Sequence, residues 1–79
     1  MNPSMTFNAI DQEEEDSLSP HEIRLLRLLA NGHNRVSAAA ELRVALPTVA
    51  WHLQRVYQKL KVHSKVEAVA IALRLGLIR

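Results

Sequence analysis

Leu46-Pro47-Thr48-Val49-Ala50-Trp51-His52-Leu53-Gln54-Arg55-Val56-Tyr57-Gln58-Lys59-Leu60 is the stretch on which the fold turns. Val49, Leu53, Val56 and Leu60 recur at intervals of 4, 3 and 4, the repeat of one face of an α-helix. The run predicts a helix starting near Leu46 or Pro47, since proline is tolerated in a first turn. The opposite face carries Ala50, Trp51, Gln54, Arg55 and Gln58. Lys59 and Lys61 fall in the last turn, where cations suit the helix dipole. Trp51 lies two residues past Val49, about 200° round the helix, so its ring is expected to face outward.

The flanking segments read as three shorter helices. Ser19-Pro20-His21-Glu22 supplies an N-cap, a first-turn proline and a capping-box glutamate, with Leu18 as the hydrophobic staple. Leu25, Leu26 and Leu29 then share a face flanked by Leu28, and Gly32 suits a left-handed stop, so a helix is expected at about 20–31. Asn34 is positioned to cap a short helix at about 35–43 that is rich in small residues. No glycine follows it, and Arg43-Val44-Ala45 leads into the quoted stretch. Beyond that stretch, Ser64-Lys65-Val66-Glu67 reads as a second capping box, opening a helix that runs to about Leu75 and ends at Gly76. Val66, Ala70 and Leu73 form a strip that a four-helix monomer need not cover, while Leu77 and Ile78 are expected to return to the core.

A chain of 79 residues holds one domain. Its apolar fraction of 48% is dominated by Leu, Ala and Val, with Phe7, Trp51 and Tyr57 as the aromatics, which favours a small helical bundle over a sandwich or barrel. The net charge of +2 hides an asymmetry. Asp11, Glu13, Glu14, Glu15 and Asp16 crowd one window, whereas residues 17–79 carry ten basic side chains against Glu22, Glu41 and Glu67, a net +7. Residues 1–17 are therefore expected to be a disordered acidic N-terminal tail, and residues 18–79 the folded domain. A domain so basic suits a polyanion, nucleic acid ahead of a membrane surface; the plainer reading is a solubilising face. The tail could fold back over that face and compete with phosphate.

Several chemistries are disfavoured. Without cysteine there is no disulfide and no thiolate metal site. His21, His33, His52 and His63 have no histidine partner at helical ligand spacing, so no metal or other cofactor is expected. No nucleophile lies beside a base at useful spacing and there is no glycine-rich phosphate loop, so the chain is not expected to be an enzyme. No apolar run approaches a membrane span and the N-terminus lacks a signal pattern, which makes a cytoplasmic location the expectation.

Two short helices joined by a tight turn, the second basic and amphipathic, make the physical pattern of a helix-turn-helix; a basic helical bundle has the same periodicity. Leu18-Ser19-Pro20-x-Glu22, Leu25-Leu26-x-Leu28-Leu29-Ala30-x-Gly32, Thr48-Val49-x-x-His52-Leu53, Lys59-Leu60-x-Val62-x-Ser64 and Glu67-Ala68-Val69 with Gly76-Leu77-Ile78 go further. Together, and without gaps over about residues 18–78, they resemble the LuxR/FixJ-type (GerE-like) helix-turn-helix domain. The resemblance implies an all-α, four-helix domain of transcription regulators, whose third helix enters the major groove and whose fourth often pairs two copies. Family members usually carry a receiver or sensory domain before this module. With about 17 preceding residues here, the expectation is a stand-alone regulator or a module of a longer protein. Val36 and Ala50 stand where the family usually has phosphate-contacting lysines, which implies a salt slope lower by about two. Ala45 replaces the usual Ser or Thr cap, an expected cost of about 1 kcal/mol.

On this resemblance Trp51, Gln54 and Arg55 are expected at base edges of double-stranded DNA, and Arg35, Thr48, His52, Lys59 and Lys65 at phosphates. Val66, Ala70 and Leu73 are expected to pair a weak homodimer through the fourth helix. Trp51 keeps three readings: contact with a thymine methyl or sugar, an anchor for a protein partner, or a ring folded over the preceding turn. The rival function is an antiactivator that pairs with a full-length regulator of the same family. The basic domain and the retained Thr48, His52 and Lys59 weigh against it.

Overall fold

A computed structural model describes residues 17–79. The acidic tail expected for residues 1–17 lies, apart from Ser17, outside the described residues. Four helices follow in order: α1 (Pro20–Ala30), α2 (Arg35–Leu42), α3 (Leu46–Leu60) and α4 (Lys65–Arg74). The described residues contain no strand. The all-α, four-helix expectation therefore holds.

The sequence signals act where they stand. The Ser19 hydroxyl accepts from the Glu22 N–H at 3.2 Å, and the Glu22 carboxylate accepts from the Ser19 N–H at 2.9 Å. That reciprocal box starts α1. Gly32, at φ +98°, stops it, with Gly32 N–H donating to the Leu29 carbonyl and His33 N–H to the Leu28 carbonyl. Asn34 and Ser37 cap α2 in the same reciprocal way.

Three details depart from the sequence reading. Arg43 and Lys61, expected within the last turns of α2 and α3, lie just past them in left-handed backbone at φ 59° and 58°. Glycine holds that conformation without the Cβ clash, which costs other residues about 1–2 kcal/mol. Here Val44 N–H to the Ala39 carbonyl and Val62 N–H to the Tyr57 carbonyl close the helix ends, and the bulk of the chain enforces the turn. The second capping box is half formed. Ser64 accepts from the Glu67 N–H, but the Glu67 carboxylate accepts from the N–H of His63, one residue before the cap. Finally, Leu60 is half-buried, so the α3 stripe is fully closed only at Val49, Leu53 and Val56.

The core has two lobes on either side of α1 and α3. Leu25, Leu29, Ala38, Ala39, Val49 and Leu53 form the lobe toward α2. Leu26, Val56, Val62, Ala68, Ala72 and Ile78 form the lobe toward α4. Ile78 does return to the core, as expected, while Tyr57 and Val69 pack against both lobes. The result is a fixed platform under α3, which leaves the other side of that helix open.

Candidate nucleic-acid interface

The 15-residue α3 is anchored by one face and open on the other. Val49, Leu53 and Val56 are buried, whereas Trp51, Gln54 and Gln58 are exposed and Arg55 is half-buried. Trp51 is 57% exposed, so the preceding turn does not enclose its ring. Instead, the Arg55 guanidinium lies 5.0 Å from the centre of its ring, one helical turn on. Beside them, Gln54, Tyr57, Gln58, Lys61, Val62 and His63 line an open hollow of about 330 Å³ where α3 meets the turn to α4.

A buried carboxylate sets the underside of this face. Glu22 is 1% exposed. Besides closing the α1 cap, it accepts from Lys59 Nζ at 2.8 Å and lies 3.5 Å from Arg55 Nε. Burial pushes its carboxyl up, yet the Lys59 hydrogen bond, the Ser19 N–H and the two positive charges outweigh burial and hold it below the ordinary value. The Lys59 ammonium side chain is only 7% exposed. Lys59 thus ties α3 to α1.

This cluster escaped the sequence reading, although one signal was available. Position 22 falls a turn before Leu25 and Leu26, on the face that packs inward, and a carboxylate there requires a partner. What the sequence does not reveal is that the partner is 37 positions away.

His52 sits between two rings. Its imidazole stacks on His21 at 6.1 Å with planes 4° apart and meets the Trp51 edge at 5.1 Å. Its Nδ1 is buried and has no hydrogen-bond partner among the described residues. Burial lowers the His52 pKa, Glu22 opposes that shift, and His21, Arg55 and Lys59 reinforce it. The ring is therefore neutral near pH 7.

The remaining expected phosphate contacts are scattered around α3. Arg35 and Lys65 are exposed first residues of α2 and α4, and Thr48 is half-buried in the first turn of α3. Val36, 64% exposed, and half-buried Ala50 occupy the two positions where the resemblance implies lysine. On α4, Val66 and Leu73 are 73% and 48% exposed and Ala70 is exposed, so the apolar strip is uncovered. Among the described residues no group of three or more His, Asp or Glu could hold a metal ion, and no helix is long and apolar enough to cross a membrane.

Comparison with known proteins agrees with this architecture. Residues 16–72 match the family of bacterial regulatory proteins, luxR family. The chain is 38% identical over 64 residues to the HTH-type transcriptional activator RamA of Corynebacterium glutamicum, covering 81% of this chain and 23% of that protein. It is 44% identical over 61 residues to the probable transcriptional regulatory protein NarL of Mycobacterium tuberculosis, covering 77% of this chain and 28% of the relative. The probable transcriptional regulatory protein SgaR of Hyphomicrobium methylovorum is 33% identical over 69 residues, covering 87% of this chain and 33% of its own length. The chain thus spans a third or less of each of these relatives. A four-helix fold with a helix-turn-helix pair and a family match across most of its length agree on one conclusion: the chain belongs to the luxR family of bacterial regulatory proteins.

Proposed function

We propose that residues 18–79 are the DNA-binding unit of a transcription regulator and that α3 reads double-stranded DNA from the major groove. The observation that carries this reading is the division of α3, with Val49, Leu53 and Val56 locked into the core, Trp51 and Gln54 exposed on the other side, and Arg55 half-buried beside Trp51. A major groove admits one helix, and a face of this kind can reach base edges. Arg35 and Lys65 then serve as flanking phosphate contacts, with Thr48 and the neutral His52 as uncharged donors. Lys59 acts from below, by holding α3 in place. The exposed Val66, Ala70 and Leu73 support a weak homodimer through α4, which would set two copies of α3 one DNA turn apart. We place the protein in the cytoplasm, where such a regulator meets its DNA, and assign it no catalysis.

A second reading draws on the exposed apolar side chains of Val36 in α2 and of Leu46 and Trp51 in α3. They suit an antiactivator whose target is a full-length regulator of the same family. Selection from a random DNA pool at two salt concentrations, with and without residues 1–17, separates the two. A single palindromic site, bound less tightly as salt rises, supports the DNA reading. No retention at about 50 mM salt even without the tail, where phosphate contacts are strongest, would reject it. Sedimentation showing only monomer at high concentration, with and without DNA, would remove the dimer.

A further inference from the structure

The geometry points to Trp51 as a positioning residue that, together with Glu22, fixes the Arg55 guanidinium for recognition of guanine. This rests on the DNA-binding reading and assigns a role within it. Arg55 Nε faces the Glu22 carboxylate at 3.5 Å, and its guanidinium carbon lies 5.0 Å from the centre of the Trp51 ring. The guanidinium is therefore bounded on one edge by a buried carboxylate and on one face by an indole. A guanidinium has two edges able to make paired hydrogen bonds, one built from Nε and one Nη, the other from both Nη groups. The Glu22 carboxylate lies beside the first, 3.5 Å from Nε, so the terminal edge is the one left to pair with a base. Two parallel donors on that edge match O6 and N7 of guanine in the major groove.

The exposure of Trp51 also finds a reason here. An indole 57% open to solvent on a helix contributes little to the core. Its ring instead limits the conformations of the arginine one turn away. A free arginine side chain loses many rotamers when it binds a base, and an arginine already held loses fewer. Glu22 is itself held by Lys59 and by the Ser19 N–H, so the carboxylate that aims Arg55 does not swing. The same fork fits a phosphate, but a phosphate contact is blind to sequence, which separates the two roles by experiment.

The test uses the full chain and its Trp51→Ala, Trp51→Phe and Arg55→Ala variants, each selected against a random double-stranded DNA pool. Proton spectra of the free proteins accompany the selections. The wild-type chain is expected to enrich guanine at one position per half-site, and Arg55→Ala to erase that enrichment. Trp51→Ala should lower the guanine preference at the same position by about tenfold, the size of one good bidentate contact, and leave the salt slope unchanged. Trp51→Phe, which keeps an aromatic face, should retain most of it. In the free wild-type protein the Arg55 side-chain protons should be shifted by the indole ring current, and the shift should vanish in Trp51→Ala. Trp51→Ala selecting guanine as strongly as wild type overturns the positioning role alone. So does uniform weakening of all sequences with a smaller salt slope, or an Arg55 side chain with unshifted protons in wild type. A wild-type chain that selects no DNA at all overturns the proposed function, and this inference with it.

Discussion

The starts of α1 and α3 meet the same requirement in opposite ways. At α1, Ser19 and Glu22 satisfy each other's backbone N–H groups, and Glu22 also reaches Lys59 and Arg55. At α3, Ala45 makes no side-chain cap. The missing cap matters less than a simple replacement of Ser or Thr suggests. Pro47 has no N–H to satisfy. The Thr48 N–H is taken by the Ala45 carbonyl at 3.0 Å. Few open donors remain in the first turn. The helix that faces outward is secured further along, by the Lys59–Glu22 pair near its other end. A local cap at one helix thus supports, through a single carboxylate, a second helix that has none.

Five measurements break or sharpen that contrast. Glu22→Ala strands the buried Lys59 ammonium and opens the α1 box, so urea unfolding should give a loss of about 3–5 kcal/mol. A loss no greater than that of Ser19→Ala would show that the tie to α3 contributes nothing. The acid limb of stability should follow the same carboxylate. The folded state holds Glu22 below its ordinary value of 4.5, so its contribution is complete above that pH and is lost as pH falls through the folded value. Glu22→Gln should flatten this limb of the melting-temperature profile. The lowered His52 value has the same sign: its share is present above 6.5 and declines as the pH drops below it, and His52→Gln should remove that decline. Ser19→Ala leaves the ion pair in place and should cost about 1 kcal/mol in the same urea experiment. Ala45→Ser, the reverse change at α3, should gain about 0.5 kcal/mol or less; a gain well above 1 kcal/mol would mean that the first turn of α3 has more open donors than the hydrogen bonds indicate.

How much of this was legible in the sequence depends on range. The box at Ser19, the glycine stop at Gly32 and the Val49–Leu53–Val56 stripe are contacts within one or two turns, and residue type at fixed spacing announces them. The outward direction of Trp51 follows from helix geometry alone and agrees with its exposure. Arg43 and Lys61 escaped because their left-handed backbone is imposed by the packed helices they join and not by their own preference. At the candidate site, Arg35 and Lys65 stand exposed as the sequence suggests, but the burial of Lys59 depends on a carboxylate from another helix. Spacing along one helix carries no information about such a partner.

The modest lining of α2 has a consequence for motion. Its fully buried residues are Ala38 and Ala39, supported by the half-buried Leu42. A buried methyl removes far less apolar area from water than the leucines and valines of α1 and α3. The free energy needed to lift α2 from the domain is correspondingly small, and its amides should exchange with solvent deuterium by partial openings that leave α1 and α3 folded together. The helix that precedes the outward-facing one is then the first to part from it, and a partner that grips both would be felt as slowed exchange in α2 before it is felt anywhere else.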